Sequence, residues 1–178
     1  MAFEIDTPRL RLIPLTEACV RASLDDRTTI AREVAAEVPL SWPVEHYDQG
    51  VLDATAKALQ SKLGKQGWIL RYIVSQDPRP TVSGMVGVMA PDREGACMIG
   101  YSVLPEFRRQ GYAREALAGV VGWAFDHPEV QSIIGETYPE LTGSIRTMER
   151  NGFRCTGPGR EERVIRYELP RSAWERQA

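Results

Sequence analysis

A basic turn that contains a glycine lies between an apolar run and a helical pattern, and this arrangement could bind an anion. The run Met98–Leu104 is rich in β-forming residues and predicts a strand. Apolar residues at helical spacing predict a helix from Ala113 onward, with Arg108, Arg109 and Gly111 in the turn before it. The amides at a helix N-terminus lack partners and carry the positive end of the helix dipole, so the expected ligand is a phosphate or pyrophosphate. On spacing alone, a turn whose arginines are only solvated fits equally well.

The elements around this turn predict a fold of the α/β (α+β) class, with a mixed, mainly antiparallel sheet and helices on both faces. Further strands are predicted at Trp68–Val74, Val82–Ala90, Ser132–Tyr138 and Arg163–Leu169. The short turns between successive strands favour antiparallel neighbours, whereas the helix before Ser132 permits a parallel crossover. One domain is expected over residues 7–169, followed by a C-terminal tail at 170–178 that is frayed from Arg171.

Composition excludes several classes of function. The chain has 178 residues and a net charge of −2, which argues against general nucleic-acid binding because that requires a basic footprint. The three cysteines are widely spaced and the two histidines are isolated, so no metal site is expected. No apolar run is long enough to span a bilayer and no signal peptide is recognised, so we expect a cytoplasmic protein with reduced thiols and no membrane partner.

The anion-binding turn resembles the pyrophosphate loop of a known family. The pattern Arg108-x-x-Gly111-x-Ala113 is similar to the Gln/Arg-x-x-Gly-x-Gly/Ala loop of the Gcn5-related N-acetyltransferases (GNAT). Flanking residues at 99–105 and Gly152-Phe153 occupy positions where that family has similar residues. The opening Thr7–Leu12 resembles the branch that acetylates ribosomal-protein N-termini and small amines. The resemblance implies the acyl-CoA N-acyltransferase fold and acetyl-CoA as the cosubstrate.

The resemblance also implies which residues hold the cosubstrate. The backbone of Val103, at the end of the central strand, would contact the pantetheine arm and the acetyl carbonyl. The pyrophosphate would lie on the turn, through the amides of Arg108, Arg109, Gln110, Gly111, Tyr112 and Ala113. Arg114, one turn into the helix, either reaches a phosphate or is simply solvated.

The catalytic residues depart from the usual family pattern. Met148 stands where many relatives have a tyrosine that protonates the departing thiolate, and methionine cannot donate a proton. Leu141 replaces an asparagine that precedes a serine in this branch, while that serine is kept as Ser144. Met98 replaces a glutamate on the central strand.

Three residues remain as catalytic candidates. Ser144 is the expected donor near the sulfur and also the expected cosubstrate contact there, although a first-turn serine that satisfies helix amides fits its position as well. Glu136 is the carboxylate expected to accept the amine proton, directly or through water, or else it is a solvent-facing strand residue. Tyr138 is a further donor, with a place in the core as its alternative.

The predicted function is acetyl transfer from acetyl-CoA to a primary amine, either a small molecule or a peptide N-terminus. The alternative is a binding module of the same fold that holds an acyl-CoA and catalyses little. Trp42–Tyr47 is the expected specificity segment, although Trp42 alone is more typical of a core residue. A homodimer is compatible with the sequence, and no cysteine is expected to be catalytic.

Overall fold

The computed structural model describes residues 3–22, 26–62 and 64–176, and a sheet of eight strands runs through them. The strands are β1 (Ile5–Asp6), β2 (Leu10–Pro14), β3 (Leu70–Ser75), β4 (Val82–Val88), β5 (Ala96–Val103), β6 (Ser132–Thr137), β7 (Arg154–Pro158) and β8 (Ile165–Pro170). Their order across the sheet is β1-β2-β3-β4-β5-β6-β8-β7. Every neighbouring pair is antiparallel except β5 and β6, which run parallel because a helix connects them.

Six α-helices accompany the sheet in this part of the chain. They are α1 (Glu17–Arg21), α2 (Arg27–Val34), α3 (Gln49–Gln60), α4 (Tyr112–Phe125), α5 (Thr142–Arg150) and α6 (Arg171–Glu175). Side-chain caps start the first three helices, because Thr16, Asp26 and Asp48 each accept a hydrogen bond from an amide three residues later. No helix among the described residues is both long and apolar enough to cross a membrane.

Alternating side chains on the strands divide the interior into two cores. One core lies between one face of the sheet and helices α4 and α5, and it includes Ile99 of β5, Val120 of α4 and Met148 of α5. Residues on the other face pack against α1, α2 and α3, including Tyr72 and Met85. The predicted mixed sheet with helices on both faces is therefore confirmed.

The described part of the C-terminal tail, residues 170–176, packs against the rest of the chain, so the prediction of fraying from Arg171 is wrong, while residues 177–178 lie outside the described residues. The Arg171 guanidinium donates to the carbonyls of Phe125, His127 and Val130, which lie at and beyond the end of α4. Trp174 stacks on Phe125 with 5.9 Å between ring centroids. These contacts hold α6 against the molecule, and they could not be foreseen because they join residues far apart in sequence.

Candidate functional site

An opening in the sheet lies between β5 and β6. The two strands pair from Ala96–Ser132 as far as Ile99–Gly135. Strand β5 continues to Val103, whereas β6 continues only to Thr137 and no longer pairs with it. The opening is thus bounded by the last residues of β5 on one side and the end of β6 on the other.

The backbone of β5 turns hydrogen-bonding groups toward this opening. The Leu104 amide donates to the Ser83 carbonyl at 2.9 Å, so even-numbered residues of β5 address β4. The backbone groups of the odd-numbered residues Tyr101 and Val103 must then point the other way. The Val103 carbonyl accepts from Arg108 Nε at 2.9 Å. The Val103 amide and both backbone groups of Tyr101 thus face the opening without a β6 partner among the described residues.

The turn before α4 has the backbone geometry of an anion site. Gly111 is the N-cap of α4 with φ +84°, and Arg109 also has a positive φ of +63°. The first helical bond of this end runs from the Glu115 amide to the Gly111 carbonyl at 3.0 Å. Within the described residues, the amides from Arg109 through Arg114 have no hydrogen-bond acceptor. A row of unpaired donors at a helix N-terminus is suited to a phosphate group. We call residues 108–113 the anion loop.

A salt bridge from the start of β2 supports the anion loop. Arg9 Nη2 lies 2.7 Å from Glu115 Oε2, and Arg9 Nη1 donates to the Gln110 carbonyl at 3.1 Å. Its guanidinium carbon lies 5.2 Å from the centre of the Tyr112 ring. Burial raises the pKa of Glu115, but hydrogen bonds from Thr7 and Arg9 outweigh it, so the pKa of this carboxyl lies below its ordinary value. Glu115 is thus the ionised anchor that holds Arg9 beside the loop.

Two polar side chains of the anion loop are engaged within the protein. Arg108 donates to the Val103 carbonyl and forms a salt bridge with Glu45 at 2.9 Å. Gln110 donates to the Glu106 carbonyl at 3.0 Å. These side chains therefore stabilise the loop and its neighbours. The Arg108 amide, which the sequence analysis had assigned to the pyrophosphate, already donates to the Pro105 carbonyl at 3.2 Å, so the amides that the loop leaves available begin at Arg109.

Two arginine side chains at the start of α4, those of Arg109 and Arg114, are available to a ligand. Arg109 and Arg114 are exposed, and neither has an ion-pair partner in the described chain. Tyr112 is buried, and its hydroxyl lies 3.5 Å from Asp77. Ala113 places only a methyl group in the first turn of α4, so the approach to the amides is uncrowded.

Ser144 meets a tyrosine that sequence reasoning did not single out. The Tyr101 hydroxyl lies 3.0 Å from the Ser144 carbonyl and 3.1 Å from Ser144 Oγ. Burial raises the pKa of Tyr101 to about 12, although its hydrogen bond with Ser144 acts in the opposite direction. Met148 is buried beneath them, and a Cβ built on Gly135 would lie 2.6 Å from its sulfur. Met148 therefore packs against the last paired residues of β5 and β6.

Glu136 lies on the opposite face of the sheet from Ser144. Gly135 faces Met148 and α5, so alternation turns the next residue of β6 toward the other face. One carboxylate oxygen of Glu136, Oε1, is buried without a hydrogen-bond partner in the described part of the chain. A Cβ built on Gly159 would lie 3.2 Å from the Glu136 carboxyl carbon, so the connection between β7 and β8 covers it. Tyr138 is 39% exposed beyond the end of β6.

The segment Trp42–Tyr47 joins α2 to α3 on the same face as α1–α3. Trp42 is 4% exposed and its ring centroid lies 5.6 Å from that of Tyr72, which confirms its place in the core. Ser41 donates to the Glu106 carboxylate just before the anion loop. The salt bridge between Glu45 and Arg108 joins the segment to the anion loop, and the Ser41 contact joins the residues that precede each of them.

The three cysteines of the described chain carry free thiols in different environments. Cys97 is fully buried, and burial raises the pKa of its thiol to about 12. Cys19 is buried and Cys155 is exposed, and both are free thiols. No group of three or more histidine, cysteine, aspartate and glutamate side chains in the described chain could hold a metal ion.

Comparison with known proteins agrees with this architecture. The family described as "Acetyltransferase (GNAT) domain" matches residues 9–154. The uncharacterised N-acetyltransferase YjdG of Bacillus subtilis (strain 168) is 30% identical over 153 residues, covering 84% of this chain and 88% of that protein. The ribosomal-protein-S5-alanine acetyltransferase of Vibrio fischeri has a TM-score of 0.69 at 16% identity, covering 96% of this chain and 98% of its own. RimL, a ribosomal L7/L12 alpha-N-protein acetyltransferase solved with coenzyme A, has a TM-score of 0.67 at 17% identity, covering 94% and 97%.

The opened sheet and the anion loop define an acyl-CoA N-acyltransferase fold. The chain belongs to the GNAT acetyltransferase family, and it is an acetyl-CoA-dependent N-acetyltransferase that transfers an acetyl group to an amine. The family, the fold and the enzyme class predicted from the sequence are confirmed.

The structure separates the predicted site residues into two groups. Val103 and the anion loop lie in continuous sequence from the end of β5 to the start of α4, and Ser144 lies on the α5 face beside Tyr101. Glu136 is across the sheet. Sequence reasoning did not identify Tyr101, which it had assigned to an apolar strand, or Arg9, which it had used to mark the family and to begin a predicted strand, as parts of the site. The inward position of Tyr101 in the alternation of β5 was the available signal.

Proposed function

We propose that the enzyme acetylates the primary amine of a small molecule or of a peptide N-terminus, with the acetyl-CoA pyrophosphate on the anion loop. The row of unpaired amides from Arg109 through Arg114 carries this proposal. Exposed Arg109 and Arg114 supply positive charge for the phosphates. The proposed contacts of Gln110, Tyr112 and Ala113 are made by the backbone.

The pantetheine arm is proposed to lie in the opening between β5 and β6. Its two amides need partners, and an unpaired strand edge provides them as a neighbouring strand would. Tyr101 and Val103 turn such groups toward the opening. In this arrangement the Val103 amide is the donor for the acetyl carbonyl, on whose oxygen negative charge builds during attack.

In the proposed reaction Ser144 acts on one face of the sheet and Glu136 acts on the other. The amine nitrogen forms a bond to the acetyl carbon, and the carbon–sulfur bond breaks with its electron pair going to sulfur. Ser144 donates a hydrogen bond to that sulfur on the α5 face. Glu136 accepts the proton that the amine loses on the other face, directly or through water. Its buried, unpartnered oxygen supports this role. Tyr138 lies near the mouth of the opening as a further donor.

The amine is proposed to enter on the face covered by α1, α2 and α3. The segment Trp42–Tyr47 borders this face and is tied to the anion loop by Ser41 and Glu45. Exposed Leu40 is suited to an acceptor with some apolar surface. A cytoplasmic setting, supported by the free thiols, and a homodimer stay predictions.

Substitution of Gly111 by valine tests the proposal. A side chain at φ +84° is strained, and it blocks the approach of a phosphate to the amides. The strain costs about 1–3 kcal/mol, which a typical domain tolerates. We expect a folded protein in which calorimetry detects no coenzyme A binding and thiol release from acetyl-CoA is lost.

Gly122→Ala is the matched control in the same helix. A Cβ there would meet its nearest heavy atom at 3.8 Å, an ordinary contact with Trp174. This variant should bind coenzyme A as the wild type does. Unchanged affinity in a folded Gly111→Val protein would overturn the proposed loop. Thiol release measured over a panel of amines and peptides identifies the class of acceptor.

A further inference from the structure

Two hydroxyl groups meet on the α5 face of the sheet, where β5 leaves β6. Tyr101 is the second residue of β5 beyond the last pair with β6, and its side chain points toward α5. Ser144 lies in the first turn of α5. The Tyr101 hydroxyl contacts both the Ser144 carbonyl, at 3.0 Å, and Ser144 Oγ, at 3.1 Å.

We propose that Tyr101 is a positioning residue, which holds Ser144 Oγ at the opening and strengthens it as a donor to the departing sulfur. This inference rests on the proposed function, and it concerns the same site. Met148 occupies the position at which many relatives have a tyrosine that assists the departing sulfur, and methionine has no hydrogen to donate. The proposal assigns part of that role to Tyr101 on β5.

Counting the hydrogens shows how the pair changes partners. A tyrosine hydroxyl has one hydrogen, and a carbonyl can only accept. In the structure Tyr101 therefore donates to the Ser144 carbonyl, and Ser144 Oγ in turn donates to the Tyr101 oxygen. When the Ser144 hydrogen rotates toward sulfur, its oxygen becomes free to accept, and the Tyr101 hydrogen moves from the carbonyl to Ser144 Oγ. A chain of two donors then ends on the sulfur, and each bond polarises the next.

The pair stabilises the thiolate by hydrogen bonding and does not give up a proton. The pKa of Tyr101 is raised to about 12 by burial, which makes a tyrosinate here more costly than a thiolate. When the carbon–sulfur bond breaks, its electrons go to sulfur and both hydroxyl groups keep their hydrogens. The proton released by the amine leaves by the opposite face, and the thiolate is protonated from solvent after release.

Ionisation of bound coenzyme A tests the proposal without any turnover. The thiol is titrated by thiolate absorbance, and the protons released on binding are measured by calorimetry in buffers of different ionisation enthalpy. We expect the pKa of the bound thiol to lie below that of free coenzyme A in the wild type. In Tyr101→Phe and Ser144→Ala it should return toward the free value, while affinity measured at a pH where the thiol is protonated changes less than threefold.

Tyr167→Phe is the matched control, because Tyr167 is a buried tyrosine of the same core whose hydroxyl lies 3.4 Å from Glu149 and does not touch Ser144. It should titrate as the wild type does. A structural role of Tyr101 alone would leave the thiol pKa unchanged in Tyr101→Phe, and that result overturns the proposal. Failure of the wild type itself to bind coenzyme A would instead reject the proposed function.

Kinetics add a second readout. We expect Tyr101→Phe to lower kcat about tenfold, the effect of one hydrogen bond, with little change in KM for acetyl-CoA. In a Ser144→Ala background the same substitution should have no further effect, because its partner is gone. Losses that multiply in the double variant would show that Tyr101 acts independently of Ser144 and would contradict the proposal.

Discussion

Glu136 is the residue whose environment most strongly suggests a chemical task. Its oxygen Oε1 is buried without a partner among the described residues, and an unsatisfied buried acceptor costs free energy unless a ligand supplies the donor. In the proposed reaction the amine of the acceptor is that donor. The same oxygen can then take the proton as the nitrogen attacks.

We predict that Glu136→Gln keeps the shape of the side chain and removes its basicity. At neutral pH kcat should fall by about a hundredfold to ten-thousandfold, the usual effect of losing a general base. Affinity for acetyl-CoA should not change, because the proposed cosubstrate contacts lie at Val103, the anion loop and Ser144. Steady-state rates and calorimetry on the purified variant give both quantities.

Glu168→Gln is the control for this experiment. Glu168 is a residue of β8 that lies opposite Ile134 of β6, and so it is on the same face of the sheet as Glu136. Its carboxylate lies 3.7 Å from the Arg166 guanidinium. Its substitution should leave kcat within about twofold of the wild type, since it removes one partly buried ion pair and no group of the proposed reaction. Equal rates in Glu136→Gln and the wild type, with chemistry limiting, would transfer the role to water.

Sequence reasoning predicted the local backbone best. Gly111 was recognisable because a positive φ at a helix N-terminus needs glycine, and the turn is continuous in sequence. Tyr101 was missed because its partner Ser144 is far along the chain, and only the packed sheet brings α5 against β5. The two faces on which Ser144 and Glu136 lie depend on how β6 packs, which the spacing of residues does not reveal.

At the scale of the elements, one carboxylate joins β2 to α4. Glu115 accepts from the Thr7 hydroxyl, the Arg9 amide and Arg9 Nε, each at 2.7 Å. These bonds lower the pKa of Glu115 against the opposing effect of burial. A carboxyl with a lowered pKa in the folded protein stabilises it above the unfolded pKa, which is about 4.3 for glutamate. The stabilisation is lost as the pH falls through the folded value.

We therefore predict that Glu115→Gln lowers the melting temperature at pH 7 and that its difference from the wild type shrinks below about pH 4.3. Thermal unfolding followed by circular dichroism across this range measures the effect. Glu17→Gln is a suitable control, because its ion pair with Arg21 is exposed at the surface. A difference that stays constant with pH would show that the charge of Glu115 does not stabilise this junction.

At the scale of the whole molecule, helix α6 packs against the end of α4. Arg171 donates to three backbone carbonyls at and after the end of α4, and its guanidinium carbon lies 5.1 Å from the centre of the Phe125 ring. The sequence suggested a loose tail because exposed polar residues at a terminus usually fray. Carbonyl groups left over at a helix end are invisible in the sequence, yet they determine where this arginine lies.

We predict that Arg171→Ala destabilises the protein by about 1.5–3 kcal/mol, because it leaves these carbonyls without a charged donor. For a chain of this size the melting temperature should fall by roughly 5–10 °C. Arg176→Ala, at the exposed end of the same helix, should change it by less than about 1 °C. Coenzyme A affinity at 25 °C should be preserved in both variants. An unchanged melting temperature in Arg171→Ala would show that the contacts of Arg171 do not stabilise the protein.

The pairing of β5 with β6 ends before either strand does, and in the proposed reaction the opening between them is reached from both faces of the sheet. A donor that enters from the anion loop and an acceptor that enters from the α1–α3 face can be present at the same time, with neither leaving before the other arrives. Cys97, the cysteine of β5, is fully buried and so cannot store the acetyl group in between. If both substrates bind as proposed, the reaction runs through a ternary complex, and we predict that initial-rate plots intersect and do not run parallel. The two products, a thiol and an amide, can also depart in separate directions, so neither has to wait for the other.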